Sequence, residues 1–117
     1  MLLKNDGKIT YESVATASEM PYLHQCVCET LRIYAVLPAL ERVCTNPNGV
    51  SLEPFSDFKI PYGMPVIVPL FGIGRDEKYF PDPLKYDPDR FSPENIATIP
   101  SGVHTPFGIG PRNCIGE

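Results

Sequence analysis

The clearest hydrophobic pattern of the chain runs from residue 21 to residue 34. Apolar side chains recur there at three- and four-residue spacing and form one face of a helix. They are Leu23, Cys26, Val27, Leu31, Ile33 and Tyr34. Pro21 suits the first position of such a helix, and Pro38 disfavours helical backbone in the residue before it. The pattern therefore predicts a helix over residues 21–34.

Weaker patterns flank this helix. Thr10 is a suitable N-cap for a short helix that ends before Pro21. After Pro38 the pattern changes to short β segments with turns between them. The predicted segments are 42–45, 58–60 and 66–70, with turns at Asn46-Pro47-Asn48-Gly49 and Tyr62-Gly63. One helical turn is expected at 76–80 and loop structure at 82–93. The fold expected from the pattern is mainly α with a small β meander.

Composition narrows the possible partners. The 14 prolines are more than twice the average share of roughly 5 %, which favours turn-rich structure. The net charge is −4 and no Lys/Arg cluster exceeds two residues, so we expect no binding of nucleic acid or anionic lipid. No apolar run approaches the roughly 18 residues that span a bilayer, and a signal peptide is not recognisable. With one good helix and so much loop, the 117 residues are expected to be a partial sequence.

The cysteines leave one alternative function open. Four cysteines in a chain without marks of secretion are expected to be reduced thiols. His24, Cys26, Cys28 and Cys44 could instead hold zinc in a non-catalytic binding module. Zinc sites usually separate paired cysteines by two to four residues, and only one residue separates Cys26 from Cys28. Buried helical thiols are therefore the favoured interpretation.

The last ten residues before Glu117 contain the most informative motif. Residues 107–116 read FGIGPRNCIG and fit the pattern F-x-x-G-x-R-x-C-x-G. At average residue frequencies such a match arises by chance on the order of once in ten million windows. A free cysteine has a pKa near 8.5, so Cys114 would need a metal, a cation or a helix N-terminus to be a thiolate at neutral pH. Glycines at 108, 110 and 116 would allow sharp turns and close approach to a flat macrocycle.

This motif resembles the cysteine loop of the cytochrome P-450 superfamily, and two further family motifs occur in the expected order. Glu29-Thr30-Leu31-Arg32 matches E-x-x-R, and Pro88-Asp89-Arg90-Phe91 matches P-x-R-F. The resemblance covers nearly the whole chain and is nearest to the microsomal, xenobiotic-metabolising type. One departure is Gly74, where many relatives carry a histidine. The resemblance implies a partial P-450 fold, with residues 1–117 forming part of the haem-binding region of one larger catalytic domain.

Roles for individual residues follow from the resemblance alone. It implies that Cys114 is the axial ligand of haem iron, within a loop that also includes Phe107, Gly108, Gly110 and Gly116. It implies that Arg112 and Arg42 bind the haem propionates, since both offer planar forks for carboxylates. It also implies that Glu29, Arg32 and Arg90 form a buried charged network that holds the loop before the cysteine on the helix. Val36, Leu37, Ala39 and Leu40 would form an apolar wall against substrate, although plain core packing is an equal alternative.

The resemblance also implies an activity and its partners. It predicts a haem-thiolate monooxygenase that inserts one oxygen atom of O₂ into an apolar organic substrate, with electrons from an NADPH-dependent reductase. Thiolate donation to iron favours O–O bond scission. The expected location is the cytosolic face of the endoplasmic reticulum membrane, through an N-terminal anchor outside this sequence. The segment alone is expected to be inactive, and its proton-delivery residues are expected to lie elsewhere in the parent protein.

Overall fold

The longest helix among the described residues carries the E-x-x-R motif. The structure is a computed structural model that describes residues 10–11 and 20–116. Helix α1 spans Pro21–Ile33, with proline at its first position and Arg32 in its last turn. Tyr34 caps its C-terminus by donating its backbone N–H to the carbonyl of Thr30 at 2.8 Å. The predicted helix is thus confirmed, with its end one residue earlier. Tyr11 is helical, but the rest of the predicted short helix, at 12–19, lies outside the described residues.

The buried face of α1 differs from the face expected of an amphipathic helix. Its buried residues are Gln25, Glu29, Arg32 and Ile33. Leu23 and Val27, on the apolar face, are 41 % and 48 % exposed. Polar groups can replace apolar ones in a protein interior only when their hydrogen bonds are satisfied there. The interior face of α1 is therefore organised by a charged pair and its partners, and two side chains of the apolar stripe, Leu23 and Val27, face outward.

Four short strands follow the helix as two nested antiparallel pairs. They are β1 Leu40–Val43, β2 Val50–Ser51, β3 Lys59–Ile60 and β4 Pro65–Val68. The outer pair joins β1 to β4 in a register that places Leu40 opposite Val68 and Val43 opposite Pro65. The inner pair joins β2 to β3. The antiparallel strands confirm the expected class, but the meander order is wrong, because in a meander each strand pairs with its sequence neighbour.

The turn before β2 brings the chain against the end of β3. Gly49 has a φ of +71°, and a Cβ built there would lie 2.6 Å from the carbonyl oxygen of Ile60. Asn46 accepts the N–H of Gly49 on its own carbonyl and the N–H of Asn48 on its side chain, at 2.8 and 3.0 Å. The predicted Asn-Pro-Asn-Gly turn is therefore present, and only glycine fits its last position.

The remaining chain consists of loop and short helical turns. These are α2 Leu70–Ile73 and two 3₁₀ helices, Pro88–Phe91 and Ile96–Thr98. The predicted strand at 66–70 is wrong at its end, since Leu70 begins α2. Asp76 accepts the N–H groups of Tyr79 and Phe80, so the turn expected at 76–80 is hydrogen-bonded. The P-x-R-F residues, expected in loop, form a 3₁₀ turn that packs against α1.

The apolar core is small for the length of the chain. Its buried apolar side chains are Ile33, Cys44, Leu70, Phe80 and Phe91. The radius of gyration is 18.2 Å, whereas a compact domain of this length has about 13 Å. Many large apolar side chains consequently remain exposed. Among the residues that the structure describes, no helix has the length and apolar character needed to span a membrane.

Candidate functional site

The charged pair at the end of α1 is fully removed from solvent. Arg32 donates from Nε to Glu29 Oε2 at 2.6 Å and from Nη2 to Glu29 Oε1 at 2.8 Å. Both side chains have zero solvent exposure. Residues three apart on a helix lie on one face, so the sequence spacing itself brings the two groups together. This parallel, two-bond geometry is the strongest form of a guanidinium-carboxylate pair.

The remaining donors of Arg32 bind loop carbonyls. Nη1 donates to the carbonyl of Gly74 and, at 2.8 Å, to that of Pro83. Nη2 lies 3.4 Å from the carbonyl of Lys85. The guanidinium carbon also lies 5.0 Å from the centre of the buried Phe80 ring. One side chain thus connects α1 to three carbonyls of the irregular segment 74–85.

The P-x-R-F turn reaches the same carboxylate. Asp87 donates its backbone N–H to Glu29 Oε1 at 2.9 Å. Arg90 Nε lies 3.5 Å from that oxygen, and its Nη2 donates to the carbonyl of Asp82 at 3.0 Å. Arg90 Nε makes no hydrogen bond. The structure therefore brings Glu29, Arg32 and Arg90 together, with a two-bond geometry for Arg32 and a looser ionic contact for Arg90.

Gly74 stands where the packing of α1 leaves no room for a side chain. A Cβ built at this position would lie 2.7 Å from the carbonyl oxygen of Arg32 and 3.3 Å from that of Leu70. Contacts below 3.0 Å require the backbone to shift. Glycine at this position is consequently matched to the close approach of α2 and α1 in this chain.

The cysteine loop, residues 107–116, is built from turns. Cys114 donates its N–H to the carbonyl of Phe107 at 2.8 Å, and Asn113 donates to the carbonyl of Gly110 at 3.1 Å. Gly108 and Gly110 have φ values of +77° and +85°, in the region that other residues rarely adopt. The Cys114–Phe107 bond closes the loop and leaves the Cys114 side chain exposed.

The neighbourhood of the Cys114 sulfur is open and contains a backbone donor. Gly116 N–H lies 3.4 Å from Sγ, within the range of a hydrogen bond to sulfur. A Cβ at Gly116 would be 3.8 Å from Sγ, an ordinary contact. A backbone N–H near sulfur stabilises negative charge on a thiolate. The loop thus presents its thiol outward with one donor directed at it.

Two arginines from distant positions line one groove beside this loop. Arg42 lies on β1 and Arg112 on the cysteine loop, and the groove, of about 560 Å³, is completed by Glu41, Val43 and Thr45. Arg42 Nη1 donates to the carbonyl of Glu41 at 2.8 Å. A pair of guanidinium groups on one surface suits a ligand with two carboxylates.

The segment expected to face substrate is exposed in its first part and half-buried in its second part. Val36 and Leu37 are 79 % and 53 % exposed, whereas Ala39 and Leu40 are half-buried. Leu40 Cδ1 lies 3.9 Å from the position of a Cβ at Gly108. The start of β1 therefore passes alongside the cysteine loop, with the Leu40 side chain next to Gly108.

His104 is a residue of this region that the sequence did not indicate. Its ring is 4.6 Å from the ring of buried Phe91, at an interplanar angle of 52°. Burial lowers the pKa of His104 to about 4, and its Nε2 is buried without a hydrogen-bond partner. A histidine among glycine, proline and threonine suggests a solvated loop, so no pattern pointed to this position.

The zinc alternative is wrong. His24 Nε2 lies 3.5 Å from Cys28 Sγ, one helical turn away. Cys44 is buried beyond the end of β1, where its thiol faces the carbonyl of Ile60 at 3.7 Å. Over residues 10–11 and 20–116, no group of three or more His, Cys, Asp or Glu side chains could hold a metal ion. All four cysteines are free.

Comparison with known proteins identifies the family. The family model described as cytochrome P450 matches residues 3–117. A probable cytochrome P450 6d4 of Drosophila melanogaster is 48 % identical over 116 residues, covering 99 % of this chain and 21 % of the relative. Cytochrome P450 6k1 of Blattella germanica is 47 % identical over 112 residues, covering 96 % and 20 % respectively. The chain spans about a fifth of the length of these curated relatives. It belongs to the cytochrome P450 family, whose cofactor is haem.

Proposed function

We propose that this chain supplies the haem-binding part of a haem-thiolate monooxygenase, with Cys114 as the axial ligand of the iron. The observation that carries the proposal is the position of the Cys114 thiol. It projects from a glycine loop that directs a backbone N–H toward sulfur. The same loop contributes Arg112 to the groove that Arg42 lines from β1. The thiol therefore lies two residues along the chain from one of the two arginines that line this groove.

The residues of the cysteine loop and of the neighbouring groove suit a haem by their chemistry. A thiolate is a strong iron ligand, and bound iron itself keeps the thiol deprotonated. Gly108 and Gly110 turn the backbone after Phe107 through positive φ angles and add no side chains there. Gly116 adds no side chain next to the Cys114 sulfur. Arg42 and Arg112 would bind the two propionates through planar forks. These residues would hold the group.

The haem, when bound, supplies the iron chemistry that activates O₂, and the thiolate ligand favours O–O bond scission. The activity proposed is insertion of one oxygen atom into an apolar organic substrate, with an NADPH-dependent reductase as electron donor. The proposed location is the cytosolic face of the endoplasmic reticulum membrane, by similarity to the microsomal type. The chain's own contribution is to bind, orient and shield the cofactor.

A substrate wall is proposed at the segment before β1. Val36 and Leu37 are exposed apolar side chains, and Leu40 lies next to the cysteine loop. Apolar surface of this kind suits one side of a pocket for an apolar ligand. Ala39 and Leu40 would form the inner part of that wall, nearest to the haem.

The buried charged network is proposed to hold the approach to the cysteine loop in place. Arg32 binds carbonyls of Gly74, Pro83 and Lys85, and Glu29 receives Asp87 N–H and faces Arg90. Removing one member would leave an uncompensated buried charge. The network would therefore fix residues 74–90 relative to α1. This would hold the chain that leads to the cysteine loop in place.

Labelling with ¹⁸O₂ tests the proposed activity. The haem-loaded polypeptide that contains this sequence would be supplied with a reductase, NADPH, ¹⁸O₂ and a panel of apolar substrates, and products would be analysed by mass spectrometry. We expect one ¹⁸O atom per product, lost in Cys114→Ser and retained in the matched variant Cys26→Ser. Products that take their oxygen from water, or a Cys114→Ser variant with unchanged turnover, would contradict the proposal.

A further inference from the structure

His104 lies at the contact between the cysteine loop and the body of the chain. Its ring packs on Phe91, the last residue of the P-x-R-F turn. It also lines a small cavity together with Arg32, Leu70 and Gly74, which belong to α1, α2 and the turn after α2. A single ring from the arm that leads into the cysteine loop, residues 103–106, therefore packs on the P-x-R-F turn and faces α1 and α2 across a small cavity.

The surroundings of the ring disfavour a positive charge. Its Nε2 is buried and has no acceptor within hydrogen-bond distance, so a second ring proton would have no partner. In the part of the chain that the structure describes, the charged or titratable groups acting on it are Glu29, Arg32 and His24, all on α1. Glu29 is already engaged by Arg32, Arg90 and the N–H of Asp87. Burial, reinforced by Arg32 and His24, outweighs the attraction of Glu29.

Backbone hydrogen bonds connect this arm to the cysteine loop and close that loop at Cys114. Thr105, the next residue after His104, accepts the N–H of Gly108 at 3.0 Å. Phe107 accepts the N–H of Cys114 at 2.8 Å. The position of the arm therefore sets where the cysteine loop begins, and the loop closes on itself from that starting point.

We propose that His104, in its uncharged form, is the positioning residue that holds arm 103–106 against the P-x-R-F turn and the end of α1, so that acid releases the cysteine loop. The role rests on the proposed function, since it concerns where Cys114 is held. A neutral imidazole packs on Phe91 as an aromatic ring does, whereas an imidazolium would be a desolvated cation beside Arg32.

The sign of the pH dependence follows from the two pKa values. The pKa of His104 is about 4 in the folded chain and about 6.5 when the ring is released into water. The released arm therefore binds the extra proton more readily than the packed arm does. The contact is at full strength above about pH 6.5 and weakens as the pH falls toward 4. At about pH 5.5 the opening equilibrium should be about tenfold larger than at neutral pH.

Hydrogen exchange of the haem-loaded polypeptide that contains this sequence tests the proposal. Exchange in residues 104–114 would be measured at about pH 7.5 and 5.5 and corrected for intrinsic rates. We expect about tenfold faster opening in acid for the native residue and no acid response in His104→Phe, which keeps an aromatic ring without a titrating group. The control His24→Gln, at the chain's other histidine, should keep an acid response close to the native one, because His24 is the weakest of the charges that act on His104.

An acid response that is equal in native protein and His104→Phe would overturn the proposal, and so would the absence of any response in the native protein. If His104→Phe does not fold, NMR titration of isotopically labelled histidine in the native protein decides. A transition near pH 4 for the packed ring agrees, and one near the ordinary value of about 6.5 contradicts. Failure of the proposed function is recognised separately, by the lack of thiolate ligation in the native protein at neutral pH.

Discussion

Arg32 holds both carboxylate oxygens of Glu29, at 2.6 and 2.8 Å, with neither side chain reaching solvent. The same carboxylate receives the N–H of Asp87 and lies 3.5 Å from Arg90 Nε. Two residues one helical turn apart thus provide the attachment point for a long stretch of irregular chain. In a segment with so small an apolar core, this pair is the principal organiser of the fold.

Removal of the buried carboxylate should be costly. Glu29→Ala would leave Arg32 buried without its counter-charge, and we expect a loss of about 3–5 kcal/mol in the free energy of unfolding. Urea denaturation of the polypeptide that contains this sequence provides the measurement. The matched control is Lys85→Ala, since the Lys85–Asp87 pair spans 3.5 Å with the lysine side chain 68 % exposed. Its loss should cost less than about 1 kcal/mol. Equal costs for the two variants would contradict the importance given to the buried network.

Alanine substitutions at two glycines, one within α2 and one just after it, should have different effects on stability. Gly74→Ala would place Cβ 2.7 Å from the carbonyl oxygen of Arg32, and we expect a cost of about 1–3 kcal/mol from the forced shift. Gly72→Ala would meet only Pro69 Cβ at 3.7 Å and should be neutral or slightly stabilising. Thermal unfolding of both variants compares them directly. A Gly74→Ala protein as stable as Gly72→Ala would show that α1 and α2 do not approach as closely as described.

The shape of the cysteine loop should depend on Gly110. Its φ of +85° leaves open space for a side chain but an unfavourable backbone conformation for one. Gly110→Ala should cost about 1–2 kcal/mol, seen as weaker haem retention in the polypeptide that contains this sequence. Gly110→Asn should recover part of that loss, because asparagine tolerates left-handed backbone better than alanine does. Equal loss in the two variants would point to the added volume rather than the backbone as the cause.

The sequence predicted correctly those elements whose formation depends on residues close together along the chain. Pro21 and the helical spacing located α1, and the Asn-Pro-Asn-Gly run located the turn that Gly49 completes. Strand order was not predictable, because β1 pairs with β4 across the inner hairpin and strand propensity carries no information on the partner. Leu70 was assigned to a strand although it begins α2, since a short apolar run has no periodicity of its own.

The sequence motifs predicted which charged residues meet at the candidate site, but they did not predict all of the groups that these residues contact. The motifs named Glu29, Arg32 and Arg90, which the structure places together. The carbonyl partners of Arg32, at Gly74, Pro83 and Lys85, are backbone groups that no residue pattern reveals. His104 was missed because its burial arises from packing against Phe91, a contact between positions 13 residues apart in loop structure.

Spectroscopy of the reduced, carbon monoxide-bound haem in the polypeptide that contains this sequence tests the central claim, ligation by Cys114, most directly. The account predicts the red-shifted Soret band of thiolate ligation in the native protein and in Cys28→Ser, whose half-buried thiol lies on α1. It predicts loss of that band in Cys114→Ser. A Cys114→Ser protein that retains the red-shifted band, or a correctly folded, haem-loaded native protein that lacks it, would contradict the account.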